Sequence, residues 1–157
     1  MMRKKTAALT DAALDWAVSQ CVGIVWEQGD LDAGHYGPGF KPSTRWGDGG
    51  PIIERECITC IPYGAASTAP RNPEYWEAVM FERDESVTQY GPTPLIAAMR
   101  CYVASKLGDE VEVPEELQPR CPHCARMLED VDEVGSGLCT SDDCPRHDNP
   151  EAPDEHP

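Results

Sequence analysis

The chain has 157 residues, 26% of them charged, and a formal net charge of -15. That length holds one domain, or one small domain with an appendage, and about 110 residues are enough for a core that folds alone. So acidic a balance lacks the basic footprint that a phosphate backbone needs, so duplex DNA and RNA are disfavoured as partners.

The acid is spread along the whole chain. Residues 1–120 carry 11 basic and 18 acidic side chains, and residues 121–157 carry 2 and 10. Such a surface suits a basic protein partner, or imitates nucleic acid to one. The start, Met1-Met2-Arg3-Lys4-Lys5, has the charge of a signal n-region, but Asp11 and Asp15 interrupt the apolar run that must follow. A signal peptide is therefore rejected, no transmembrane run is found, and the expected location is the cytoplasm. Thiols are reduced there, so the eight cysteines point to metal before disulfides.

Thr10 to about Val22 is the first predicted helix. Thr10 is placed to cap it, Asp11 favours the positive end of its dipole, and Gly23 can end it. Leu14, Ala17, Val18 and Cys21 make its apolar stripe, and Gly23–Glu27 suggests a short strand. From Gln28 to Pro51 the sequence is rich in Gly and Pro and predicts a long loop, a kind of segment that is often functional or disordered. Tyr36, Arg45 and Trp46 on this loop are candidate ligand-binding residues, offering stacking surface and a cation. No dinucleotide or P-loop pattern accompanies the glycines.

Pro51–Ile61 predicts a strand of β-branched and charged residues. On it Cys57 and Cys60 have the C-x-x-C spacing but would point to opposite faces, which suits neither chelation nor a redox pair. Pro62–Pro73 predicts a turn-rich connection. Tyr75–Arg83 predicts a strand apolar on both faces, hence a central one, and Asp84–Tyr90 a polar turn. Residues 93–107 then read as a helix with both ends written in. Thr93 is its N-cap, Pro94 its first position and Gly108 its C′ residue, with Lys106 in the last turn. Leu95, Met99, Tyr102 and Val103 face the core, and Arg100 and Ser105 lie off that stripe. The N-terminus of this helix, Thr93 included, can offer N–H groups to an anion. Glu110–Val113 alternates as a short exposed strand, and Pro114–Pro119 predicts a linker. The fold class that follows is α+β, with two helices packed on a small antiparallel sheet.

At the C-terminal end Cys121 and Cys124 form a C-x-x-C pair. Fourteen residues further on comes a second pair, Cys139 and Cys144, spaced by four. Two such pairs predict a zinc ribbon or knuckle over 121–147, because Zn²⁺ takes four soft donors in a tetrahedron. So short a segment, with few large apolar side chains, draws its folding energy from the metal. His123 or His147 is an alternative ligand to one cysteine. A four-cysteine site is closed to a catalytic water, so the zinc is read as structural. Residues 148–157 are acidic and Pro-rich and predict a disordered tail.

Three stretches carry a family resemblance. GPTPLIAAMRCYVASKLGDEVEVP (91–114), WGDGGPIIERE (46–56) and LTDAALDWAVSQCVG (9–23) resemble the C-terminal signature, the central motif and the opening helix of the NinX-like family of phage proteins. The resemblance covers most of residues 6–117 and excludes the Cys-rich end. It implies a phage source and a fold unit of that extent, and it brings no catalytic residues. The expected function is therefore a non-enzymatic phage accessory protein that binds, with a host protein as partner. The alternative is a small-ligand binder, such as a sponge for a nucleotide-type signal in host defence. No nucleophile–base constellation supports an enzyme.

Overall fold

The computed structural model describes residues 1–27, 39–64, 73–82 and 84–117. The chain divides after Leu117 into two units, and the described elements all belong to the first, Met1–Leu117. Its elements are β1 (Met2–Lys5), a 3-10 turn (Thr6–Ala8), α1 (Asp11–Val22), α2 (Trp46–Arg55), β2 (Thr59–Tyr63), β3 (Tyr75–Glu82), β4 (Glu85–Gly91), α3 (Pro94–Leu107), β5 (Glu110–Val113) and a second 3-10 turn (Glu115–Leu117). The class is α+β, as expected. Its content differs, with three helices and two antiparallel sheets among the described residues, one of order β2-β3-β4 and one made of β1 and β5.

Helix α3 lies at the centre. Thr93 caps it as the sequence requires, its Oγ1 accepting from Ile96 N–H at 3.2 Å. Gly108 ends it at φ +93°, a backbone that only glycine adopts freely. A one-sided stripe does not describe it, because every residue from Ala97 to Ala104 is buried. Sheet β2-β3-β4, α1, α2 and β5 all touch α3, so no side of its middle is left for solvent. Arg100 is accordingly buried, at 1% exposure. Its Nε donates to the Leu9 carbonyl at 2.9 Å and its Nη1 to the Tyr90 carbonyl at 2.8 Å. The stripe model had set this residue apart from the core. A guanidinium inside is tolerated because backbone carbonyls replace its water.

Helix α1 follows its predicted span and ends on Gly23 at φ +78°, but the Thr10 side chain makes no cap bond. Residues 23–27 form no strand. Val25 is exposed, and Trp26 folds back into the core with its Nε1–H donating to Ser19 Oγ at 2.9 Å.

The larger correction is α2. The Gly- and Pro-rich end of the predicted loop and the first half of the predicted strand are one helix, Trp46–Arg55. Its glycines look wrong for a helix by propensity. Packing explains one of them: a Cβ at Gly49 would lie 2.4 Å from the Pro42 carbonyl oxygen and 2.8 Å from Leu95 Cδ2. Only a glycine lets α2 approach that closely. Gly49 and Ile52, three residues apart, form the buried side. The helix ends at Cys57, which takes φ +53° while Ile58 N–H reaches back to the Ile53 carbonyl at 3.0 Å. Strand β2 therefore begins at Thr59.

Strand β3 is central, as predicted. The predicted turn 84–90 is instead strand β4, paired along its length with β3 from Glu82↔Glu85 to Trp76↔Gly91. The predicted linker after Pro114 is a 3-10 turn that buries Leu117. Strand β5 is half-inward, with Val111 and Val113 buried and both glutamates out. It pairs with β1, Met2↔Val113 to Lys5↔Glu110, so the basic start of the chain is a strand. Thr6 continues that join, its hydroxyl donating to the Gly108 carbonyl and its N–H to the Asp109 carbonyl, each at 2.7 Å.

Candidate functional site: the outer face of the three-stranded sheet

Alternation along β3 sends Trp76, Ala78 and Met80 one way and Tyr75, Glu77, Val79 and Phe81 the other. The first set meets α3, and Ala78 and Met80 are buried there. The second set faces outward. Phe81 is 73% exposed, and Tyr75, with its neighbours Tyr63 and Tyr90, is 40–47% exposed. These three tyrosines come from the three strands. Register puts Tyr63 directly opposite Tyr75, and Tyr90 opposite Glu77. The Tyr63 and Tyr75 rings are stacked, 3° from parallel with centroids 5.3 Å apart. Tyr90 stands against Tyr75 at 71° and 6.0 Å. Cross-strand aromatic pairs of this kind stabilise a sheet by a fraction of a kcal/mol to about 1 kcal/mol each.

Glu77 sits among these rings. Register sets it opposite Tyr90, and its carboxylate, as acceptor and as negative charge beside the hydroxyl, raises the Tyr90 pKa above its ordinary value. From behind, the Tyr90 carbonyl is held by Arg100. The outer face is thus an aromatic surface with one carboxylate fixed in it, on strands that contain no Lys or Arg.

The residues singled out from the sequence fall elsewhere. Arg45 and Trp46 stand at the start of α2. Trp46 is exposed, while the Arg45 guanidinium is engaged by the Gly39 carbonyl at 3.0 Å and by Asp48 at 3.7 Å. Thr93 serves as the α3 cap. Tyr36 lies outside the described residues, as do Cys121, Cys124, Cys139 and Cys144 with the histidines His123 and His147. Among the described residues no group of three or more His, Cys, Asp or Glu side chains is placed to hold a metal. Cys57 and Cys60 are free thiols, the first exposed and the second half-buried. Burial pushes the Cys21 thiol up to about 11 and the Cys101 thiol up to about 12, so neither is a thiolate near neutral pH.

A buried carboxylate escaped the sequence reading altogether. Asp15 lies inside α1 at 5% exposure. Its Oδ1 accepts from Ser43 N–H at 2.8 Å and so fastens the 40–45 segment to α1. Burial raises its pKa to about 6, against the lowering effect of the Ser43 N–H bond. The signal available was its place between Leu14 and Trp16 on an apolar helix. The tyrosine face had a signal too: Val87-Thr88-Gln89-Tyr90 is rich in strand formers.

The class of protein that the fold defines is a small α+β domain with a buried central helix and a sheet that turns tyrosines to solvent. Over residues 5–106 the chain matches the family described as Bacteriophage P22, NinX, and it belongs to that family. The matched span takes in α1, α2, the three-stranded sheet and α3 as far as Lys106, and stops short of β5. No match is found among the curated proteins. No helix of the described residues is long and apolar enough to cross a membrane.

Proposed function

We propose that this chain is a phage accessory protein that acts by binding a host protein in the bacterial cytoplasm, and that it is not an enzyme. The observation that carries this reading is the outer face of β2-β3-β4. The three tyrosines form an aromatic cluster on it, and Phe81 stands exposed farther along β3 on the same face; exposed apolar surface of this kind on a small protein marks interaction sites. Aromatic residues, tyrosine above all, are also what interfaces concentrate. The thiols with strongly raised pKa values and the acidic balance support the same reading. In this proposal Cys121, Cys124, Cys139 and Cys144 hold one structural Zn²⁺ in a module appended to the family domain.

The test is site-specific photo-cross-linking in the host. A photoreactive phenylalanine analogue at position 81 is expected to yield one discrete host-protein adduct. The same group at Val25, 80% exposed, is expected to yield none. Absence of an adduct from position 81 and from positions 63 and 75 in the tyrosine cluster would falsify the proposal. Native mass spectrometry of protein purified without chelator tests the metal, with one zinc per chain expected, lost on Cys121→Ser.

A further inference from the structure

We propose that the tyrosine face is a receptor for an arginine side chain carried on a basic segment of the partner protein. This rests on the binding reading above and adds the chemistry of what is bound.

Charge narrows the occupant. The outward set of β3 carries one acidic residue, Glu77, and the three strands hold no basic one, within a chain of net charge -15. An acidic segment would meet repulsion here. A purely apolar one would bury Glu77 without an opposite charge, which is costly. A cation satisfies both the carboxylate and the ring faces, because the faces of aromatic rings are electronegative.

Shape narrows it further. Tyr63 and Tyr75 present parallel rings, 3° apart, as a flat platform. Tyr90 rises beside Tyr75 at 71°, and register sets Glu77 directly opposite Tyr90 at the same corner. A planar guanidinium can lie flat on such a platform and direct its N–H edge to a carboxylate. A lysine ammonium has no plane to stack. The corner is also preorganised. Cross-strand pairing sets the Tyr63–Tyr75 and Glu77–Tyr90 contacts, and Arg100 fixes the Tyr90 backbone from the core side. Little side-chain freedom then remains to be lost on binding.

The experiment is an NMR titration of the full ¹⁵N-labelled chain with the peptide acetyl-Gly-Gly-Arg-Gly-Gly-amide. Two control peptides replace arginine by citrulline, its neutral planar isostere, and by lysine. The arginine peptide is expected to give saturable shifts at Tyr63, Tyr75, Glu77 and Tyr90. Its own δ-methylene protons should move upfield under the ring current. Citrulline should bind about fivefold or more weakly, as loss of a cation–π contact and a charged hydrogen bond implies. Glu77→Gln should erase most of the arginine–citrulline difference. Tyr75→Leu should abolish the upfield shift and Tyr75→Phe preserve it. Unchanged amide signals of Ala78 and Met80 would show that each variant keeps its fold.

Equal binding of citrulline and arginine, or no shift on this face, overturns the proposal. So does sedimentation showing a dimer dispersed by Phe81→Ser, which would assign the face to a second copy of the chain. The two readings also fail separately. A cross-linked host partner with no arginine response leaves the binding function standing and removes the arginine. An arginine response with no cross-linked partner does the reverse.

Discussion

The two faces of the β2-β3-β4 sheet are built from alternate residues of the same strands and meet opposite surroundings. Met80 is 2% exposed and its neighbour Phe81 is 73% exposed. On the inner side, shape is fixed by α3, and the buried guanidinium of Arg100 is answered by carbonyls. On the outer side the tyrosine rings answer mainly one another, by stacking and edge contact. Apolar area buried on one face holds the domain together, and apolar area left on the other is available to a partner.

The contrast is sharpest at Arg100. Replacing it by Leu leaves the buried carbonyls of Leu9 and Tyr90 without their donor. A cost of roughly 3–5 kcal/mol is expected, read as a fall in the urea midpoint at constant m-value. Because Arg100 also holds the Tyr90 backbone, the same variant should disturb the outer tyrosine signals, and undisturbed signals would break the link drawn between the two faces.

Met80→Ala and Phe81→Ala compare the faces directly. The first opens a cavity against α3 and should cost about 2–5 kcal/mol. The second, one residue along, should stay within about 0.5 kcal/mol. Equal losses would mean that the outer aromatic patch is part of the folding core.

Asp15 tests the rule that charge inside the domain must be answered. Its folded pKa, about 6, lies above its ordinary 3.8, so the folded state holds the proton more tightly than the unfolded one. Stability must then fall as pH rises from about 4 to about 6, and stay lowered above that range. Asp15→Asn removes the effect and can still accept from Ser43 N–H. Its stability relative to wild type should therefore climb across that window, by at most roughly 3 kcal/mol. Paired urea titrations at pH 4.5 and pH 7.5 would expose a flat difference if the reasoning is wrong.

The smallest contrast is between two threonine caps. Thr93 makes its side-chain bond and Thr10 does not. Thr93→Ala should cost about 1 kcal/mol and Thr10→Ala close to nothing, resolvable by thermal melts.

These same elements show why some of the molecule was legible in the sequence. Helix α3 could be read end to end because its caps are local chemistry. Thr93, Pro94 and Gly108 act within one turn of themselves. Helix α2 could not, because its reason is remote: Gly49 is demanded by Pro42 and Leu95, neither adjacent to it in the chain. Strand β4 was hidden by its polar residues, Glu85, Ser86, Thr88 and Gln89, which suit a strand with one wet face as well as they suit a turn. Arg100 was set apart because periodicity assumes one buried side, and α3 is enclosed around its middle. The site suffered most. Tyr63, Tyr75 and Tyr90 become neighbours only through register, and residue types in the 28–51 segment drew attention instead.

The β1–β5 ribbon has a consequence for the order of events during synthesis. Lys5 pairs with Glu110 and Met2 with Val113, so the first strand made has no partner until the domain is nearly complete. At about 5–20 residues per second, a ribosome takes roughly 5–20 s to supply it. For that interval a short basic strand stays open, and because α3 ends at Leu107, just before β5 begins, packing around α3 and closing of the ribbon are both late steps. A chain arrested before Glu110 should retain the helices and the three-stranded sheet yet exchange the amide protons of its first residues freely.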